Sequence, residues 1–221
     1  MARIARERSS TGIYHIMLRG INRQTIFKED QDRVKFLNTL GEYKDISNYQ
    51  IYGYCLMDNH IHLLMKEVDE SISNIIKRIS SSFVYWYNGK YERCGHLFQA
   101  RFKSEVVETD DYFLTVLRYI HQNPLKAKVV RTVAESRWTS YKEYVQRPQL
   151  VDIDDVLNYF STDRSKAIPL FIEFMNRVNE DRCLDDIEKV KLTDDEVKNF
   201  LSQLGILNAT IIQQLEKNKR N

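Results

Sequence analysis

Cysteine is scarce in this 221-residue chain: Cys55, Cys94 and Cys183 are odd in number, far apart and in no Cys-x-x-Cys pair. That argues against a disulfide framework and against a thiolate zinc site, and it fits a reducing cytoplasm. Also missing is any apolar run near the roughly 20 residues a bilayer-crossing helix needs. Met1 to Ser10 is basic, but no apolar stretch follows it as a secretory signal requires. The expectation is a cytoplasmic protein with no membrane partner. Internal repeats and low-complexity segments are absent too.

What is present is a chain long enough to bury a core, 43% hydrophobic, with an uneven charge distribution under a net +2. Residues 1–150 carry 23 Lys+Arg against 17 Asp+Glu, a net of +6, whereas residues 151–221 carry 10 against 14, a net of −4. A basic front and an acidic tail suggest two modules, 1–148 and 149–221, the first suited to a polyanion.

Gly12 to Arg19 reads as a largely buried strand, and Asp30 to Lys44 as an amphipathic helix with Val34, Leu37 and Leu40 on one side and Phe36 and Tyr43 near its margin. Tyr49 to Met57 and His60 to Lys66 flank the turn-favouring pair Asp58-Asn59, a hairpin pattern. Ser71 to Tyr87 has helical spacing of Ile72, Ile75, Ile76, Ile79, Phe83 and Trp86, and Phe102 to Val107 supplies a fourth strand. A third helix starts at Asp110 and is expected to end near Asn123, before Pro124. The order β-α-β-β-α-β is that of an α+β, ferredoxin-like split β-α-β antiparallel sheet with helices on one face, leaving the other open for a site. A C-terminal helical extension follows, with helices expected at Asp154–Phe160, Lys166–Val178, Thr193–Leu204 and Asn208–Lys217. Its last part, from Leu192, has a helix-turn-helix-like pattern, and the stop after Lys217-Asn218-Lys219-Arg220-Asn221 raises the expectation that the natural chain continues.

His60 and His62 sit two apart on a strand, so both imidazoles point to one face and can share one ion. Alone, such a pair is more often two solvated polar positions. On the third helix, at about 100° per residue, Phe113, Val116, Leu117 and Ile120 define the core-facing arc. Tyr119 and Asn123 fall together on one flank of that arc, and His121 falls on the other. A metal near Asn123 is therefore within reach of Tyr119, while His121 faces away. Tyr112, two turns earlier, is a weaker candidate.

With those residues identified, the chain resembles a known family. His60-Ile61-His62 is similar to the His-hydrophobe-His signature of the HUH endonucleases, and Tyr119-Ile120-His121-Gln122-Asn123-Pro124 resembles a segment of the single-tyrosine transposases, closest to the REP-associated branch. Arg19-Gly20-Ile21-Asn22-Arg23-Gln24, Gly53-Tyr54-Cys55-Leu56-Met57-Asp58-Asn59-His60 and His96-Leu97-Phe98-Gln99-Ala100-Arg101-Phe102-Lys103-Ser104 carry further similarity, across roughly residues 10–145. The resemblance implies that Tyr119 attacks a phosphodiester of hairpin-bearing single-stranded DNA. A 5′-phosphotyrosine link forms and a 3′-hydroxyl is released, conserving the bond without ATP. It implies a divalent metal, Mg²⁺ or Mn²⁺, held by His60, His62 and Asn123, because a phenol of pKa near 10 is a poor nucleophile unaided. It points to Arg19, Arg23, Arg101, Lys103 and Lys126 as DNA contacts, with Lys128 and Arg131 beyond, and to Tyr85, Tyr87, Tyr91 and His96 as stacking platforms. Either a homodimer or a monomer fits the family. Two other readings are a catalytically silent hairpin-DNA-binding protein of the same fold, and a zinc phosphoesterase in which Tyr119 is incidental.

Overall fold

Strand and helix patterning organises the chain as the sequence suggests, with one antiparallel sheet at its centre. The computed structural model describes residues 6–179, 181, 183 and 184. The expected helices at Thr193–Leu204 and Asn208–Lys217, and the pattern from Leu192, lie outside those residues. Elements follow as β1 (Ile13–Arg19), α1 (Asp30–Ser47), β2 (Gln50–Leu56), β3 (His60–Lys66), α2 (Ile72–Lys90), β4 (Lys103–Val106), α3 (Asp110–Lys126), α4 (Tyr141–Val145), α5 (Ile153–Leu157) and α6 (Arg164–Asn176).

The sheet order is β2-β3-β1-β4, with every pair antiparallel, which is the split β-α-β layout. Because side chains alternate, register divides the residues into two faces. Ile16 pairs Leu63 and Leu18 pairs Ile61 on one face, where all four are buried with Phe27, Phe36, Leu40, Ile75, Ile79 and Phe83 of the α1/α2 layer. Phe27, Phe36 and Phe83 lock that layer through ring contacts of 5.2 to 5.8 Å. The other face carries Met17 opposite His62, Arg19 opposite His60, and Cys55 opposite His62. Here α3 lies against β2 and β3. Gly53 permits the approach: a Cβ there would stand 2.8 Å from Leu117 Cδ1.

Two local expectations are corrected. The buried stripe of α1 runs through Asp32, Arg33, Phe36, Thr39 and Leu40, while Val34 is 45% exposed. The stripe is rotated because Asp32 belongs to the capping box with Glu29 and is buried against Lys90 and Tyr91. The third helix does not stop at Asn123. Pro124 lies inside it, is buried, and costs one backbone bond, after which Ala127 N–H bonds to Asn123 O at 3.0 Å. Beyond the sheet, Phe171 of α6 stacks on Tyr144 of α4 at 4.5 Å and joins the core with Val156, Leu157 and Met175.

Candidate active site

The strand carrying the histidine pair starts at a tight corner. Gly20, just after β1, pairs with the β2–β3 turn through its N–H on Asn59 O at 2.9 Å, and has no room for a Cβ, which would lie 2.3 Å from Gln24 O. Leu97 O and Gln99 N–H bond to Ile21 and Arg19 on the same corner, so segments 19–24, 57–60 and 97–99 are one structure. Three of the motif-like stretches thus frame one end of the sheet.

His60 Nδ1 lies 2.7 Å from Asn59 Oδ1, and His62 Nδ1 lies 3.0 Å from Nε2 of His15. An amide oxygen only accepts, so the His60 proton sits on Nδ1 and Nε2 keeps its lone pair. The His60 and His62 ring centroids are 5.0 Å apart at 88°. Burial, then the charge of Arg19, lowers the His60 pKa to about 4, even though a hydrogen bond with the Asn123 side chain and the Asp58 charge act the other way. Burial, then His15, His60 and Arg19, drives His62 well below its ordinary value. Both imidazoles are therefore neutral at pH 7 and retain lone pairs for a cation.

From α3, Tyr119 is 5% exposed and places its ring edge-on, 5.5 Å from His62 and 5.8 Å from His15. Asn123, half-buried one turn later, reaches His60. His60, His62, Tyr119 and Asn123 are thus gathered by one strand and one helix. His121 is on the other flank, fully buried, with Nε2 2.8 Å from Ser140 Oγ and Nδ1 3.4 Å from Met175 Sδ. Among the described residues no group of three His, Cys, Asp or Glu side chains has metal-holding geometry. Two neutral imidazoles plus the Asn123 amide offer two nitrogen donors and one oxygen, a set whose softness suits Mn²⁺ or Zn²⁺ slightly better than Mg²⁺.

The sequence-nominated basic residues separate. Arg19 stands close enough to depress both histidines. Arg23, exposed, has φ +58° and lines a groove of about 530 Å³ with Arg137, Trp138, and Asn59 and Pro124, the chain neighbours of His60 and Asn123. Arg101 and Lys103 are exposed and line a second groove of about 880 Å³ with Arg6, His96, Phe98 and Phe102. Lys126 is also exposed, but its ammonium bonds to Asn179 Oδ1 at 3.2 Å and Asp181 O at 3.1 Å, and lies 5.3 Å from the Tyr119 ring centre. Tyr85, 86% exposed, and His96 remain open to solvent. Tyr87 and Tyr91 do not: Tyr87 is fully buried, and the Tyr91 hydroxyl donates to Asp32 at 2.8 Å. Lys128 and Arg131 are exposed.

His15 has no role in the sequence reading and is nonetheless inside the site. Its strand parity with Arg19, which puts it on the face of His60 and His62, is the signal that could have found it.

Residues 8–123 match the family described as "Transposase IS200 like". No curated protein matches the chain. The structure of a REP-associated tyrosine transposase bound to a REP hairpin aligns with a TM-score of 0.58 at 18% identity, over 70% of this chain and 90% of the other, and has the same fold. A Deinococcus radiodurans R1 protein described as a candidate transposase aligns with a TM-score of 0.39 at 13% identity, over 55% of this chain and 97% of the other. No helix among the described residues is long and apolar enough to cross a membrane.

Proposed function

The chain belongs to the IS200-like transposase family, and on that premise we propose that it nicks and rejoins single-stranded DNA at hairpins, with Tyr119 as the nucleophile. The observation that carries this reading is the meeting of Tyr119 and Asn123, from one helix, with His60 and His62, from one strand 57 to 63 residues earlier.

In the proposed reaction the Tyr119 oxygen attacks the scissile phosphorus, the phenolic proton passes to solvent, and the 3′-oxygen leaves as a hydroxyl. A 5′-phosphotyrosine results, and attack by a 3′-hydroxyl reverses it, so no nucleotide cofactor is consumed. His60, His62 and Asn123 would hold Mg²⁺ or Mn²⁺, which supplies Lewis-acid stabilisation of charge on the phosphate. Arg19 adds positive charge beside that phosphate. The grooves at Arg23 and at Arg101 and Lys103 take the strand on either side, and Tyr85 offers a base an exposed face for stacking. Lys126 is offered as a phosphate contact only where DNA displaces Asn179. A hairpin as substrate follows the REP hairpin in the structural neighbour. In the same proposal, residues 1–148 are the DNA-processing module and 149–221 its acidic extension. The protein works in the cytoplasm, as monomer or homodimer.

The test is to incubate the protein with labelled single-stranded hairpin DNA and Mg²⁺ or Mn²⁺ and separate the products on a denaturing gel. A shifted adduct, lost with chelator and with Tyr119→Phe, is expected. Tight binding with no adduct would favour the catalytically silent alternative.

A further inference from the structure

Three side chains make a row across the sheet on the face of the histidine pair. His15 on β1 is the direct cross-strand partner of Glu105 on β4. On its other side, His15 Nε2 is 3.0 Å from His62 Nδ1, with ring centroids 5.2 Å apart at 31°. His15 Nδ1 is 3.8 Å from Glu105 Oε2, within charge-contact range. Glu105 is itself held, by Leu184 N–H at 3.0 Å and by the Tyr112 hydroxyl.

His15 is completely buried, between Tyr14 and Ile16 in a strand whose other core positions are apolar. An imidazole in such a place is tolerated only if its nitrogens find polar partners, and the partners here are His62 and Glu105. Counting protons along the row then fixes each tautomer. The Glu105 carboxylate, 3.8 Å from His15 Nδ1, is too far to accept a hydrogen bond, but its negative charge favours the proton on that nitrogen, which leaves Nε2 to accept. His62 must therefore carry its proton on Nδ1, and its lone pair lies on Nε2.

We propose that His15 and Glu105 are positioning residues for the metal site, a carboxylate–imidazole–imidazole chain that fixes the His62 tautomer and leaves Nε2 to bind the cation. This rests on the metal role given to His60, His62 and Asn123 above. The sheet register makes the chain rigid, since all three residues are on strands. It also gives the His pair matching support: Asn59 anchors His60 Nδ1 as His15 anchors His62 Nδ1.

The test uses the full chain and Mn²⁺ alone, with bound metal measured by the loss of the free Mn²⁺ electron paramagnetic resonance signal, and thermal unfolding recorded alongside. Removing support from a metal-binding histidine weakens affinity about 10- to 100-fold, and that loss is expected for Glu105→Gln and for His15→Phe. His15→Gln can still accept the His62 Nδ1 proton through its amide oxygen, so it should stay within about threefold of wild type. In the His15→Gln background, Glu105→Gln should have no further effect on Mn²⁺ affinity, whereas a merely structural carboxylate would cost the same in both. Equal Mn²⁺ affinity in wild type, Glu105→Gln and His15→Phe, with His62→Ala weakened, overturns the chain and spares the metal site. A wild type that binds no Mn²⁺ overturns both. If His15→Phe does not fold, the His15→Gln and Glu105→Gln pair decides alone.

Discussion

Gly53→Ala offers a way to move α3, the helix of the proposed nucleophile, without touching Tyr119 or Asn123. Gly53 lies on β2 opposite Leu64, on the face that α3 covers. A methyl there meets Leu117 Cδ1 at 2.8 Å, Ser140 Oγ at 3.6 Å and Leu64 Cβ at 3.9 Å, so it is enclosed on several sides. Ordinary contact begins at 3.4 Å, which requires α3 or the Leu117 side chain to give by about 0.6 Å. Leu117 is fully buried and has little freedom to turn. Overpacking of this kind costs about 1–3 kcal/mol. The functional effect should be larger in proportion, because Tyr119 and Asn123 ride on α3 while His60 and His62 stay on β3. A displacement approaching 1 Å costs a reaction about 100-fold, so the adduct should form roughly 10- to 100-fold more slowly. Initial rates on a hairpin oligonucleotide, with urea melts of the same samples, measure both quantities. Adding Leu117→Val, which removes the clashing methyl, should recover most of the rate. A Gly53→Ala protein with a lowered urea midpoint and an unchanged rate would refute the idea that the seating of α3 sets the site.

Two further predictions concern stability. Asp32 is fully buried, and its carboxylate accepts from Lys28 N–H at 2.7 Å, Glu29 N–H at 3.0 Å, Lys90 Nζ at 2.6 Å and the Tyr91 hydroxyl at 2.8 Å. Asp32→Asn should lower urea stability by about 2–3 kcal/mol, toward the low end for a broken buried pair because Lys90 is partly solvated, and a loss below about 0.5 kcal/mol would contradict the network. Burial would raise the Asp32 pKa, yet these bonds hold it below the ordinary range, so its contribution is present at neutral pH and is lost as pH falls through the folded value. His121 works over a higher window: burial lowers its pKa from 6.5 to about 3. Between those values the unfolded chain takes up a proton that the folded one refuses, so stability falls with falling pH by up to about 1.4 kcal/mol per unit. His121→Gln should flatten the pH dependence of the melting temperature in that window, and parallel curves for variant and wild type would count against it.

The legible parts of this protein are those set by local period. Strand alternation puts His60 and His62 on one face, and helical spacing predicts the buried arc Phe113, Val116, Leu117 and Ile120 and the turn of His121 away from the pair. Contacts between distant segments are another matter. His15 meets His62 across 47 residues, and strand parity gives its face but not its partner. Asp32 reaches Tyr91 across 59 residues, which is why Tyr91 reads as an available aromatic in sequence and is a tied one in the fold. Pro124 shows burial overriding a local preference, since the helix continues through it. The role of Gly53 is equally hidden, because a glycine in a strand carries no sign of what presses against it.

The atom that carries the DNA distinguishes Tyr119 from every other nucleophile. A stable adduct formed with hairpin oligonucleotide and Mn²⁺, digested with protease and nuclease, leaves a nucleotide-bearing peptide that tandem mass spectrometry can sequence. The expected result is a single modified residue, Tyr119, linked to the 5′-phosphate. A nucleotide on Tyr112, on another residue, or linked through a 3′-phosphate would contradict it.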